Sequence, residues 1–501
     1  MGKRILQCLA VITLFGCGFC RNLEAADPAL VLYPAPDGLD PSGDYRVQIN
    51  GQDCFVYGCD TASFAIFSFK GEAEISVFPS HDVRWVDIRP LSAKIRHSVQ
   101  DNVIRFRIDR PLNLSVELNN EITNPLYLFA NPLESGVPSA ADSTVRFFKS
   151  GVIHQPGEIR LKSGETVYIE GGAVVRGHIV AEDAEKIRIT GRGILDGSPH
   201  PVRRPGPDSA SFVRTRRRMI DLVRCNDVLI DGITIFDSAT WTVVLQFCRN
   251  VRIQNLKEVC WRNGSDGVDV VGSSDVVIDG CFMRNNDDCI TLKTWGGNEK
   301  YPREAQKGPD VAHVEILNSV FWNMAWGNAL EIGFELRADR ISDVLFRNCD
   351  VIHVERGATF SIHNGDYATV ENVRYEDIRV EDSRHKLIDL AVFLSQYSTD
   401  RPADPEERRR RYMSGAWDGV LKVEADQAAV HSPNRGRIRN IVFRNISLVG
   451  GPVPFSIISG FDSGHRVENV TIENLTFYGK KIRNAEEGKF SIQNAEGVRF
   501  K

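Results

Sequence analysis

Between residues 27 and 140, apolar and polar positions alternate in short runs, among them YRVQI, CFVYG, FAIFSF, AEISVF, VRWVDI, VIRFRI, LSVEL and PLYLFA. Successive side chains on a strand point to opposite faces, so a period of two marks strands with one buried face. Gly, Pro, Asp and Asn separate the runs, and no sustained period of 3.6 residues interrupts them. The stretch is expected to form a small antiparallel β-sandwich. Residues 131–144, rich in Pro, Ser and Gly, read as the linker that follows it.

From Val145 onward the pattern becomes a repeat. A polar residue, three residues of alternating β type and a polar pair recur at Lys186, Asp227, Asn250, Asp275, His313, Asp343, Asn372, Asn440 and Asn469. The intervals are 41, 23, 25, 38, 30, 29, 68 and 29 residues. The short ones suit one coil of a parallel β-helix, and the long ones need inserted loops or unmarked coils. No coil buries its own apolar positions, and stacking makes the core continuous. The fold class expected is therefore all-β: a right-handed parallel β-helix over residues 141–501, preceded by the sandwich over residues 27–140.

One stretch of the repeat is unusually acidic. SDGVDVVG and DDCITLKT can be superposed with Asp266 over Asp288, 22 residues apart, so their carboxylates should stack on adjacent coils. Strands lie about 4.8 Å apart, and two carboxylates in register repel unless they share a proton, a water or a cation. Extending the alignment places Asn328 and Ala358 at the next two strand starts. Val268, Ile290, Leu330 and Phe360 then point inward. Asp269, Thr291, Glu331 and Ser361 point outward, followed by Lys293 and His363. The outward stripe, flanked by Trp295 and Trp326 and enlarged by Glu335, is the expected substrate-binding face. Trp241 is read as packing, and the cysteines as small buried ladder residues.

Composition narrows the function. A net charge of −5, with no long basic run, argues against nucleic acid as a partner; RTRRR at 214–218 and ERRRRY at 407–412 read as solvated loops. Residues 1–26 read as an export signal, with Lys3 and Arg4 ahead of the apolar run Ile5–Phe19 and cleavage after Ala25 or Ala26. Leu14-Phe-Gly-Cys17 also resembles a lipoprotein box, which would place a lipid anchor on Cys17. No other segment reads as a membrane span, and the expected location is periplasmic, outer-membrane-associated or secreted. Cys54 and Cys59 flank a short segment that a disulfide could close. No Cys/His set has zinc spacing, and no metal or cofactor is expected.

Three crowded carboxylates suit acid–base work on a glycosidic bond, since like charges raise the proton affinity of at least one member. An acid and a base about 6.5–9.5 Å apart would invert the product. The arrangement resembles the family 28 glycoside hydrolases of polygalacturonase type. Their NTD…DDC pattern is matched by Gly264-Ser265-Asp266 and Asp287-Asp288-Cys289, with Asn263 one place earlier. Gly191–Ser198 (GRGILDGS) matches their GxGxIDG stretch, and Asp237-Ser-Ala-Thr-Trp241 their strand before the site. The leading sandwich is also similar to the family 49 dextranase and isopullulanase arrangement. The resemblance implies that Asp287 is the general acid and that Asp266 with Asp288 hold and deprotonate the water.

Two departures bear on substrate. Where polygalacturonases carry GHG this chain has Gly327-Asn328-Ala329, and where they carry RIK it has Ala358-Thr-Phe-Ser-Ile-His363. No bidentate carboxylate clamp replaces these, and Glu331 and Glu335 add negative charge. A neutral polysaccharide or oligosaccharide is the expected substrate, with polygalacturonate the alternative through Lys293, Arg337, Arg340 or His363. A calcium-dependent lyase and a non-catalytic glycan-binding β-helix are the other classes weighed. Long insertions, Trp295–Asp310 and Ser383–Arg437, would wall the cleft and lean towards exo action.

Overall fold

The computed structural model describes residues 29–205, 212–214, 217–295, 307–413 and 419–501. The export signal, Cys17, part of RTRRR and most of the first cleft insertion lie outside these residues. Among the described residues no helix is long and apolar enough to cross a membrane.

The N-terminal part is two packed sheets. One holds Leu30–Leu32, Val56–Cys59, Ala62–Phe69, Val86–Arg89, Leu112–Leu118 and Leu126–Pro132; the other holds Tyr45–Ile49, Gln52–Cys54, Ala73–Pro79, His97–Gln100 and Val103–Ile108. All pairings within them are antiparallel except Ala62–Phe69 with Leu126–Pro132. The CFVYG run is two strands rather than one. The chain leaves one sheet at Cys54 and enters the other at Val56. The expected disulfide is accordingly absent: Cys54 is buried with its thiol towards the Ile66 carbonyl, and Cys59 bonds the Ala62 carbonyl.

From Val145 the chain winds into a parallel β-helix with three faces. The first face carries the repeat and includes Glu185–Gly191, Asn226–Asp231, Arg249–Gln254, Ser274–Asp279, Val311–Leu317, Arg340–Arg347, Thr369–Val380 and Arg437–Leu448. Each of these pairs directly with the next, so the intervals of 41, 38 and 68 residues are single coils with inserted loops. All nine repeat-start residues have positive φ, between 51° and 59°. Asn and Asp tolerate this left-handed conformation because their side chains bond locally. Here they also bond along the stack: Asn250 to Asn226, Asn372 to Asp343, Asn440 to Asn372 and Asn469 to Asn440.

The second face, including Lys257–Cys260, Phe282–Asn285, Val320–Asn323 and Asp350–Val354, is covered by the sandwich. Tyr57, Phe64, Tyr127 and Phe129 pack there against Val259, Phe282, Trp322 and Ile352. Buried polar pairs complete the joint. Arg284 donates to Thr61 at 2.9 Å, and Glu117 accepts from Arg89 at 2.9 Å and faces His353 at 3.0 Å.

The third face carries Ile220–Val223, Val243–Gln246, Val268–Val271, Ile290–Lys293, Leu330–Phe334, Ala358–Asn364 and Lys386–Val392. The insertion after residue 383 contributes the short helix Pro405–Arg411, capped by Asp404 and laced by Arg409–Glu406 and Arg411–Glu407 pairs, where a solvated loop was expected.

Candidate active site

The third face has the expected register. Val268 pairs with Ile290, Leu330 and Phe360 in turn, and Asp269 with Thr291, Glu331 and Ser361. Two residues before each strand runs a column the chain uses differently on each coil: Arg218, Trp241, Asp266, Asp288 and Asn328. The backbone ladder through it runs from Gly267 N to Asp288 O at 2.8 Å and from Cys289 N to Asn328 O at 3.1 Å.

One oxygen from each of Asp266, Asp287 and Asp288 lies within 4.8 Å of the other two. Asp266 and Asp288 are buried, at 2% and 5% exposure, whereas Asp287 is half-buried. Burial raises the pKa of Asp266 well above the carboxylate range, and Asp287 and Asp269 add to it against Lys293. Burial likewise raises Asp288, with Glu331 and Asp287 adding to it, against Lys293 and the Asn328 N–H that it accepts at 2.6 Å. The buried pair therefore holds protons tightly and releases them reluctantly.

Lys293 is the cation of the site. Its Nζ lies 3.0 Å from Asp269 Oδ1, 3.6 Å from Asp266 Oδ2 and 3.9 Å from the centre of the Trp241 ring. Burial opposes its charge, but Asp269, Asp266, Glu335 and Asp288 outweigh that and raise its pKa. The three aspartates are the one acidic group compact enough to hold a metal ion among the described residues. Lys293 already supplies positive charge beside them.

The turn that carries Asp287 is held from beneath. Asn323 Nδ2 donates to the carbonyls of Asp287 and Trp326, both at 2.8 Å, and Asn286 bridges Trp261 O and Ala325 N. Gly327, with φ of 63°, lies against this turn; a Cβ there would sit 2.4 Å from Asp288 N and 2.5 Å from Asp287 Oδ1. Deeper still, Asn285 Nδ2 bonds the Glu258 carboxyl at 2.8 Å; burial lifts the pKa of that carboxyl to about 8.

The expected substrate-binding residues divide by exposure. Trp326 is 40% exposed and Trp295 partly so, with the Arg337 guanidinium 5.4 Å from the Trp295 ring centre. Asp269, Lys293, Asn328, Glu331, Glu335 and His363 are all buried. Glu331 accepts from Asn328 Nδ2 and His363 Nδ1, each at 3.0 Å, and Phe334 and Phe393 close over His363. Strand alternation places these side chains outward but does not reveal what covers them. Arg218, the Asn285–Asn323 pair and Glu258 were not anticipated. Arg218 was findable, since it stands two residues before Ile220 as Asp266 stands before Val268. The interior pair was findable too, since Asn285 and Asn323 stand at the same distance after the repeat starts Asp275 and His313.

A family model described as Glycosyl hydrolases family 28 matches residues 136–403, more than half of the chain. A polygalacturonase of Arabidopsis thaliana, QRT2, is 22% identical over 242 residues, covering 46% of this chain and 49% of that protein. The chain spans about half the length of the curated relatives it matches. Among solved structures, Dex49A from Penicillium minioluteum superposes with a TM-score of 0.64 at 17% identity, covering 94% of this chain and 96% of that one. A hyperthermoactive exopolygalacturonase from Thermotoga maritima superposes with a TM-score of 0.50 at 16% identity, covering 71% and 84%. Both show the fold alone, and the first does so across sandwich and helix together. With the acidic trio on the third face of a β-helix and more than half of its length matched by that model, the chain belongs to the Glycosyl hydrolases family 28.

Proposed function

We propose that the protein is an exported hydrolase of O-glycosidic bonds that acts on a neutral glycan and inverts the anomeric centre. The observation that carries this reading is the trio of Asp266, Asp287 and Asp288, two members buried and one partly exposed. Three carboxyls this close hold fewer than three negative charges, so a proton is always at hand. Asp287 alone reaches the cleft and protonates the leaving oxygen. Asp266 and Asp288 lie too deep for a sugar carbon but not for a water. The pair shares its protons, and the member that is ionised beside Lys293 takes the proton of that water, a strong base because its carboxyl binds protons tightly.

Inversion is supported by that burial, not by spacing. The oxygens are closer than the 6.5–9.5 Å span expected of an inverting pair. A buried carboxylate cannot itself become the nucleophile, and a water between it and the sugar gives inverted product. Proton NMR of the first-formed sugar anomer tests this point, and first-formed product of retained configuration would refute it.

A neutral substrate is supported by the cations, each of which already faces an acid. Arg337 pairs with Asp366 at 3.2 Å and Lys293 with Asp269; Arg340 pairs with Glu371 at 2.9 Å on the first face, away from the site. His363 lies between Glu331 and Asp389. A uronate carboxylate would meet the Asp287 carboxyl and, to gain one of these cations, would have to break its pair. The polygalacturonase named among the relatives favours a pectin substrate instead. Sugar release from a panel of neutral and uronic-acid glycans separates the two readings. Neutral products support the proposal, and release from polygalacturonate alone would overturn it.

A further inference from the structure

Glu331 and His363 stand on the outward side of the third face, one and two coils from Asp288, yet they are 0% and 1% exposed. Their contacts form one line. Asn328 N donates to Asp288 Oδ1 at 2.6 Å, and Asn328 Nδ2 donates to Glu331 Oε2 at 3.0 Å. Asn328 Oδ1 accepts from Ala358 N at 2.8 Å, which fixes the side-chain amide against Glu331 while the main-chain N–H of the same residue holds Asp288. His363 Nδ1 lies 3.0 Å from the same Glu331 oxygen, and His363 Nε2 lies 3.2 Å from Asp389 Oδ2. Lys386 Nζ bonds that last oxygen. Acid, base, acid and base thus alternate from the coil of Glu331 outward.

We infer that Glu331 is a positioning residue: through Asn328 it orients Asp288, with His363, Asp389 and Lys386 as the counter-charges that hold it in place. This rests on the hydrolase reading of the site. The line is costly to bury unless every member is matched, and here each charge faces an opposite one. Burial opposes the His363 charge, but Glu331 and Asp389 outweigh it and raise its pKa well above the usual value. Asp389, despite its burial, is held down to about 2 by His363 and Lys386. At the inner end, the negative charge of Glu331 is the largest influence after burial that raises Asp288. Glu331 therefore acts on Asp288 both by holding the side chain of Asn328, whose main-chain N–H Asp288 accepts, and through space.

The test compares the pH profile of kcat and the KM of wild type, Glu331→Gln, His363→Asn and the double variant. Glu331→Gln is expected to lower kcat by about ten-fold or more, with little change in KM. It should also move the limb governed by Asp288 to lower pH by about one unit. His363→Asn removes the positive charge that faces Glu331 and should lower kcat without moving the limb to lower pH. The double variant should lose no more kcat than Glu331→Gln alone, because His363 acts through Glu331. A raised KM with an unmoved profile would make Glu331 a sugar contact and overturn the inference.

A substrate-free readout keeps this apart from the hydrolase reading. Asp288→Asn should raise Tm at neutral pH in the parent and raise it less in the Glu331→Gln background. Equal increments in the two backgrounds would refute the coupling, whatever the substrate proves to be. If Glu331→Gln does not fold, the same cycle run on His363→Asn decides the question. A wild type without hydrolytic activity would sink the function while leaving the Tm cycle to judge the inference.

Discussion

At the scale of single residues, the site trades stability for chemistry. The pKa values of Asp266 and Asp288 are raised in the folded state, chiefly by burial, so between the ordinary carboxylate value and the raised one the native protein binds more protons than the unfolded chain. Stability from this source is fully present below the unfolded value and is lost as pH rises through the folded one. Asp266→Asn and Asp288→Asn should therefore be inactive yet melt higher than the parent at pH 7, with the difference shrinking towards pH 4. Thermal melts across that range check the sign, and a lower Tm at pH 7 for both variants would contradict the crowding described here. The three aspartates were legible because their types and 22-residue spacing survive in the bare sequence. The burial of Glu331 and His363 was not, because alternation gives the direction of a side chain and not what closes over it, here Phe334 and Phe393 over His363.

At the scale of the element, turns and ladders fix where those residues stand. Gly327 fits its place twice over, since its φ of 63° disfavours a Cβ and its closeness to Asp287 and Asp288 leaves no room for one. Gly327→Ala should displace the catalytic turn and lower kcat on the order of 10²-fold, with a modest loss of Tm. An unchanged kcat would mean the turn does not depend on that contact. The Asn ladder is more forgiving. Asn440 bonds Asn372 and accepts from Asn469, each at 3.3 Å near solvent, so Asn440→Ala should cost about 1 kcal/mol in a denaturant melt and leave activity intact. The repeat was readable because left-handed positions recur on coil after coil and keep selecting Asn, Asp or a similar polar residue. The crossing of the sandwich strand at Phe55 was not, since CFVYG alternates like any single strand although its halves join different sheets.

At the scale of the whole molecule, sandwich and helix share a core, and the joint is ionic as well as apolar. Glu117 on the sandwich meets His353 on the helix and Arg89 beside it. Burial works to raise its pKa, but His353 and Arg89 outweigh that and lower it. That contribution is present above the ordinary carboxylate value and lost as pH falls through the depressed one. His353, raised by Glu117 and Asp382 against its burial, contributes below its ordinary value, and that part is lost as pH rises through the raised one. Glu117→Gln should cost about 3 kcal/mol while the melt stays a single transition. Separate transitions for the two parts in calorimetry of the wild type would show that the joint does not couple them. The two-part architecture was legible from the change of period near residue 145, but the surface that joins the parts was not, because outward aromatic residues on a strand do not declare their partner. The most direct measurement is hydrolysis of the best glycan in the panel by wild type and by Asp287→Asn. If Asp287 is the acid that protonates the leaving oxygen, kcat falls about 10²–10⁴-fold while the fold is kept. Equal rates for the two proteins would contradict that assignment.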